Sequence, residues 1–290
     1  MSKLIVLVAL ASVYLASAQP AYNVYPWPTP SNTSLHVTMG YGTVQSTGTR
    51  FNWYSATLDD LSRFTFELPA QGCNVLQRTT VTANLRKCVV ALNSGYFQFK
   101  PKPTYCLGNL IVNRTIEHWD DAAAPPIVGV TGKGTTIVGV LTRQEAIQLD
   151  VTYASSGFGV IVERGVASAA GVTQARGAIK AVRSAAEEVA PRTVFAVDAQ
   201  NRMLMVAIDG VEQLKLGVTV DELADIFSGG ADGFPFNVQT AINLDGGGST
   251  TFSSSPSLTA QHPAQIFNRP TDTDAGPISE RAVTSIACVR

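Results

Sequence analysis

The residues with the clearest chemical potential lie between Thr240 and Phe252, in T-A-I-N-L-D-G-G-G-S-T-T-F. Ala241, Ile242 and Leu244 form a short apolar run that stops at Asp245 and three glycines, Gly246, Gly247 and Gly248. Such a run reads as a buried strand entering a tight loop. Glycines carry no Cβ, so the loop is expected to fold into a concave nest of N–H groups, with Ser249 and Thr250 adding hydroxyl donors for an anion. Asp245 at the strand end would then place a carboxylate beside that anion site, which suits acid/base or nucleophilic chemistry on a charged substrate. An ordinary β-turn uses the same residue types, yet three glycines exceed what a turn needs. Ser249 lacks the G-x-S-x-G elbow, and His36, His118 and His262 are isolated, so Ser249 reads as a donor rather than a nucleophile.

The elements that must position this loop follow from periodicity. Strands are expected at Arg50 to Leu58 and Arg63 to Leu68, a helix at Thr79 to Lys87, and a buried strand at Cys88 to Phe97 that reaches Asn93, Ser94 and Gly95. A hairpin follows at Ile127 to Leu141, a helical turn at Arg143 to Leu149 and a strand at Phe158 to Val166. Ala178, Ile179, Val182, Ala185, Ala186 and Val189 recur at helical spacing, predicting a helix over Gln174 to Val189. Thr193 to Val197 and Met203 to Ile208 form a second hairpin, and Thr219 N-caps a helix through about Phe227 with Asp221 and Glu222 in its first turn. The order strand, strand, helix, strand thus occurs twice, ending once at Asn93 and once at Asp245. This predicts an α+β fold of mixed β-sheets with packed helices, built on a degenerate ββαβ duplication that brings the two loops to one cleft.

Composition sets the surroundings. The 290 residues are 45% hydrophobic and 15% charged, with 21 Lys+Arg against 22 Asp+Glu. A net charge of −1 leaves no basic face, so nucleic acid is not an expected partner. Residues 1–18 carry Lys3, an apolar run too short to span a bilayer and Ala16-Ser17-Ala18, the pattern of a signal peptide. Residues 19–49 begin with a Pro-rich stretch and read as an N-terminal arm, and residues 50–290 as the main domain. No later run reaches 18 apolar residues, so a secreted or lumenal protein without a membrane span is expected. Asn32 and Asn113 stand in N-x-[ST] sequons and are candidate glycosylation sites. Cys73, Cys88, Cys106 and Cys288 favour two disulfides, with three pairings open to spacing alone. Neither cysteines nor histidines show metal-ligand spacing, so no metal and no cofactor are expected. A homo-oligomer is left open.

Several motifs taken together carry a resemblance. A-L-N-S-G-Y-F at 91–97, C-L-G-N at 106–109, R-T at 192–193, N-L-D-G-G-G-S-T at 243–250 and R-A-V-T-S-I-A-C-V at 281–289 resemble, in their order and spacing, the phosphodiester glycosidase family, over about Arg50 to Val289. The resemblance implies hydrolysis of the bond between the anomeric carbon of N-acetylglucosamine and a phosphodiester on a glycan substrate. It implies disulfides Cys73–Cys106 and Cys88–Cys288. It implies Asp245 as nucleophile or as base for water and Glu67 as the second catalytic carboxylate. Read alone, Glu67 is a solvated strand glutamate. Arg192 and Arg281 are the implied phosphate-binding cations, because a guanidinium fork holds two phosphate oxygens, although surface arginine is the default for both. Asn93 and Asn109 would orient the sugar, or else form turns beside Gly95 and Gly108. With Gly246, Gly247, Gly248, Ser249 and Thr250 they complete the expected substrate site. Ser94 and Tyr96 depart from the family pattern, a mild change that leaves Asn93 and Gly95 in place. Two other readings stand beside this one: a non-catalytic extracellular carbohydrate-binding protein, and a glycosidase of phosphodiester-linked exopolysaccharide.

Overall fold

β-Branched and aromatic residues favour the pleated, packed environment of a sheet, and among the described residues they supply three large sheets beside two two-stranded ones. The computed structural model describes residues 20–29, 35–98, 104–182, 189–211, 214–259, 261–270 and 279–290. The eight-stranded sheet runs in the order Val166–Ala167, Gly159–Glu163, Val238–Asn243, Arg192–Asp198, Met203–Ile208, Arg50–Leu58, Leu35–Val44, Ala231–Asp232. The five-stranded sheet runs Gln265–Ile266, Phe252–Ser254, Val90–Asn93, Ile286–Val289, Phe64–Glu67. The six-stranded sheet runs Tyr22–Pro26, Thr135–Gly139, Ile127–Thr131, Val151–Ser156, Leu110–Val112, Thr115–His118. Their described pairings are antiparallel. The fold is α+β.

Each sheet turns one face to a common core. Phe64, Phe66 and Leu92 of the five-stranded sheet meet Val128, Val130 and Val138 of the six-stranded sheet and Phe195, Met205 and Ile242 of the eight-stranded sheet. Phe64, Phe66 and Phe195 touch with ring centroids 5.1 to 6.1 Å apart. Burying side chains of this size contributes about 1.5–3 kcal/mol apiece, which makes this junction the main apolar anchor of the molecule. The opposite face of each sheet packs on its own helices. Ala169–Val182 and Val220–Phe227 cover the eight-stranded sheet, Thr79–Arg86 the five-stranded, and Arg143–Gln148 the six-stranded.

The helix starts follow local chemistry. Thr219 and Glu222 form a capping box, each side chain bonding the other's backbone N–H, and Thr142 with Glu145 does the same for Arg143–Gln148. The helix expected from Gln174 instead begins at Ala169, because Ser168 caps it: its hydroxyl accepts from Gly171 N–H at 3.2 Å and its carbonyl from Val172 N–H at 2.8 Å. Residues 183–188, the later part of the expected span, lie outside the described residues, as do the expected signal peptide and Asn32. Asn113 sits exposed in the two-residue turn between Leu110–Val112 and Thr115–His118, where it and Arg114 both have positive φ. Within the stretch read as an N-terminal arm, Tyr22–Pro26 adds an edge to the six-stranded sheet and Leu35–Val44 pairs along Arg50–Leu58 from Leu35↔Leu58 to Thr43↔Arg50. The order strand, strand, helix, strand is present in both halves, but the pairing differs. Arg192–Asp198, Met203–Ile208 and Val238–Asn243 share one sheet, whereas Arg50–Leu58 and Phe64–Glu67 lie in different sheets.

Both implied disulfides form, Cys73–Cys106 and Cys88–Cys288. The second joins residues 200 positions apart, and loop-closure entropy makes such a bridge worth about 5 kcal/mol in the chain-entropy model. Replacing Cys88 and Cys288 together by Ala is therefore expected to lower unfolding stability by several kcal/mol in urea melts. Replacing the pair that closes the shorter, 33-residue loop should cost about 1.5 kcal/mol less.

Candidate active site

Three strand ends, one from each sheet, converge where chemistry was anticipated. Val238–Asn243 runs out into Asp245, Val90–Asn93 into Ser94 and Gly95, and Val151–Ser156 ends in Ser155 and Ser156. Asp245 N–H donates to Ser94 O at 3.1 Å and joins the first two, Leu244 N–H donates to Thr193 O at 2.9 Å and Ser94 N–H to Ser285 O at 3.2 Å, while Ser155 Oγ packs against Gly95. Asn93 and Asp245 therefore sit at strand ends that meet.

The glycine loop has specific steric demands. A Cβ on Gly246 would lie 2.8 Å from Pro191 O, and Gly247 has φ +63, so both positions require glycine. Residues 247–249 make a single 3-10 turn. In it Gly247 N–H donates to Pro191 O at 2.8 Å, Ser249 N–H to Gly246 O at 3.3 Å and Thr250 N–H to Gly247 O at 3.0 Å. Two of these donors are spent within the turn and the third on Pro191, so these three amides are not available for the expected anion-binding nest. The hydroxyls differ. Ser249, Thr250 and Thr251 bury their oxygens with no hydrogen-bond partner among the described residues, as do both amide atoms of Asn243 and the hydroxyl of Ser155. Each such group costs about 1–3 kcal/mol, and in a native fold it marks a place for a polar ligand or ordered water.

Asn93 is fully buried and its side chain is committed to the protein. Its Nδ2 donates to Asp245 O at 2.7 Å, while its Oδ1 accepts from Thr193 Oγ1 at 2.9 Å and Thr251 N–H at 3.1 Å. Asn109 is similarly engaged: its Oδ1 accepts from Asp120 N–H at 2.8 Å and its N–H donates to Ser156 Oγ at 2.5 Å. These asparagines shape the loops that sequence reasoning had them decorate. Arg192, 4% exposed, donates from Nε to Val218 O at 3.1 Å and lies alongside Gly246. Strand alternation puts Arg192 and Asn243 on the same sheet face, since Val194 opposite Asn243 is two residues from Arg192. Asp245 is 8% exposed, in the same loop as the orphaned hydroxyls.

Glu67 ends the edge strand of the five-stranded sheet. It shares a register line with Ile286 and Asn93, two strands away and so roughly 10 Å from Asn93. Its described partners are Arg86, at 3.4 Å, and Arg290, neither of them in the glycine loop. The expected pair of carboxylates facing one ligand is thus not seen among the described contacts, because two guanidiniums hold this one at the sheet edge. Arg281 is half-buried, next to Glu280, whose carboxylate accepts from Thr80 N–H at 2.9 Å at the start of Thr79–Arg86. That segment leads to Ser285, whose Oγ accepts from Gly95 N–H at 3.1 Å and bonds Ser94 Oγ at 2.9 Å.

Sequence reasoning passed over Asn243, Ser155, Ser285 and Tyr96 as site residues, although all but Ser155 stand inside the quoted motifs. Tyr96 stacks on Phe158, centroids 4.6 Å apart and planes 21° apart. Burial, with the Asp120 charge second, pushes its phenol up to about 12, so it stays a neutral hydrogen-bonding group. Because the unfolded phenol titrates near 10, the unfolded chain loses its proton first as pH rises, and stability should fall by about 1.4 kcal/mol per unit between pH 10 and about 12. Tyr96→Phe is expected to flatten that alkaline limb in urea melts. Asn93→Ala leaves Asp245 O, Thr193 Oγ1 and Thr251 N–H without their partner and should cost on the order of 3 kcal/mol or more in the same assay.

The comparisons with known proteins agree with this architecture. The N-acetylglucosamine-1-phosphodiester alpha-N-acetylglucosaminidase of Homo sapiens is 26% identical over 192 residues, covering 62% of this chain and 35% of that protein. Its Bos taurus counterpart is 26% identical over 192 residues, covering 62% and 34%. The chain thus spans about a third of the length of these curated relatives. Among solved structures, the zebrafish N-acetylglucosamine-1-phosphodiester alpha-N-acetylglucosaminidase catalytic domain, described as auto-inhibited by its pro-peptide, superposes with TM-score 0.75 at 21% identity, covering 93% of this chain and 88% of that one. A hypothetical protein from Synechocystis superposes with TM-score 0.62 at 12% identity, covering 89% and 62%. Both show a shared fold. A family model described as phosphodiester glycosidase matches residues 86–290, which include Asn93, Arg192, Asp245 and Arg281, and the chain belongs to the phosphodiester glycosidase family.

Proposed function

We propose that this protein hydrolyses the glycosidic bond of N-acetylglucosamine-1-phosphodiesters, within the secretory pathway or outside the cell. The observation that carries the reading is the set of buried hydroxyl and amide groups lacking protein partners around Asp245 and Arg192, a demand for a polar ligand in a site of family origin. In this reading Asp245 acts on the anomeric carbon, as nucleophile or as base for water. Its charge stabilises the oxocarbenium-like centre while the C1–O bond breaks and the electron pair leaves on the phosphate. Phosphate is already a good leaving group, so one well-placed carboxylate is sufficient and Glu67 is free to serve the sheet edge. Arg192 and Arg281 offset charge on the departing phosphate, and Ser249 and Thr250 add hydroxyl donors. Asn93 and Asn109 hold the loops in place. No metal enters the scheme, and complete, metal-reversible loss of turnover on chelation would overturn that part. The two disulfides and the sequon at the exposed Asn113 turn accord with a secretory compartment. Among the described residues no helix is long and apolar enough to cross a membrane.

One observation favours a second reading, a carbohydrate-binding protein without turnover: the sequestration of Glu67 by Arg86 and Arg290 leaves a single carboxylate in the loop. Release of free sugar by purified protein from a panel of UDP-sugars and sugar-1-phosphodiesters separates the two. Catalysis predicts N-acetylglucosamine release, and saturable binding with no release supports the alternative. If Asp245 acts at the reacting centre, Asp245→Asn should lower kcat/KM by about a thousandfold or more with an unchanged melt. Arg192→Lys should act mainly through lost bidentate contact to phosphate. A folded Asp245→Asn protein with parental turnover removes the loop from the chemistry.

A further inference from the structure

Asn268 lies outside every motif discussed so far, yet it touches the glycine loop where the loop ends. The strand Phe252–Ser254 pairs with Gln265–Ile266, Ser253 opposite Ile266, and Phe267 N–H still donates to Phe252 O at 2.8 Å. One residue further, the backbone ladder gives way to a side chain. Asn268 Oδ1 accepts from Phe252 N–H at 2.8 Å and its Nδ2 donates to Thr250 O at 3.0 Å. The carboxamide has the donor and acceptor of a peptide group, so it extends the ladder and grips the main chain on both sides of Thr251.

Asp209 supports the way that amide faces. It follows the strand Met203–Ile208, and its Oδ1 accepts from Asn268 Nδ2 at 3.2 Å. Phe252 N–H only donates and Thr250 O only accepts, so the oxygen of Asn268 faces Phe252 and its nitrogen faces Thr250 O, an orientation that Asp209 Oδ1 also supports. Asp209 is itself held by Arg269 N–H, at 3.2 and 3.3 Å to its two oxygens, and its own N–H donates to Asn52 O at 2.9 Å. Asn268 and Asp209 are 5% and 8% exposed, where a hydrogen bond lost is not replaced by water. Asn93 already grips Asp245 O and Thr251 N–H from the other side. We infer that Asn268, supported by Asp209, is a positioning residue: it locks the exit of the glycine loop and so fixes the entrance that carries Asp245. The catalytic consequence rests on the function proposed above.

The test exchanges donor and acceptor across the Asp209–Asn268 contact. Asn268→Asp should lower both the melting temperature and kcat, because the new carboxylate faces Asp209 and Thr250 O with no donor. In Asp209→Asn/Asn268→Asp the new amide at position 209 donates to the new carboxylate at 268. The melt should recover only in part, because Thr250 O still lacks its donor, and kcat should stay at least about tenfold down with KM little changed, as expected for misplacement of a catalytic group. A double variant with parental melt and parental kcat overturns the inference. Amide hydrogen exchange supplies a readout independent of turnover. In folded Asn268→Ala, the Gly247 and Thr251 amides, which do not touch Asn268, should lose protection while the central strands keep theirs, and unchanged protection overturns the inference. Should Asn268→Ala not fold, the double variant carries the same exchange measurement. If the parental protein releases no sugar, the proposed function falls while the exchange result still decides the role of Asn268.

Discussion

The side-chain amide of Asn93 is the interaction on which the arrangement depends. Its bonds to Asp245 O and Thr193 Oγ1 join the end of Val90–Asn93 in the five-stranded sheet to the end of one strand and the start of another in the eight-stranded sheet, and its bond to Thr251 N–H holds the residue before Phe252–Ser254. All of this lies out of contact with water, so each bond is opposed by little and its loss leaves a bare polar group behind. An apolar contact at the same place would hold the strands together without fixing the height of Asp245.

Around that junction the molecule sets apolar adhesion against polar precision. The core where the three sheets meet supplies the adhesion through Phe64, Phe66 and Phe195, and it ends where the strands end. Beyond it come buried serines, threonines and asparagines whose desolvation the core must offset. A chain selected for stability alone would fill this region with aliphatic side chains. That the hydroxyls of Ser155, Ser249, Thr250 and Thr251 find no partner among the described residues is what supports the proposed site.

Two glutamate-like groups of similar chemistry have opposite settings. Glu67 is flanked by Arg86 and Arg290 and closes the edge of its sheet, whereas Asp245 stands in a loop built of glycine and hydroxyl residues. The sequence resemblance names both as candidates, but the family model's match over residues 86–290 includes only Asp245, and the two environments differ. The same reasoning keeps fold and substrate apart: structures at 21% and 12% identity share this architecture, and the choice of sugar and aglycone belongs to side chains that such likeness does not fix.

Much of the scaffold was legible in the sequence because its determinants are local. Arg50–Leu58 and Met203–Ile208 follow from their apolar runs, the helix at Val220–Phe227 from Thr219 and Glu222, and the need for glycine at Gly246 and Gly247 from a strand that must turn at once. The strand Leu35–Val44 was missed because only two of its ten residues are fully buried, so its alternation is weak until Arg50–Leu58 pairs with it. The sequence could name Asn93, Arg192 and Asp245 but not their tasks. Arg290 reaches Glu67 across 223 residues and Thr251 reaches Asn93 across 158. Neither partner is encoded near the residue it meets; both follow from the register in which Ile286–Val289 lies between Phe64–Glu67 and Val90–Asn93, and from the antiparallel pairing that brings Val238–Asn243 beside Arg192–Asp198. Propensity is set by near neighbours along the chain, while the partner of a buried polar group is set by which strands share a sheet, and only the tertiary structure decides that.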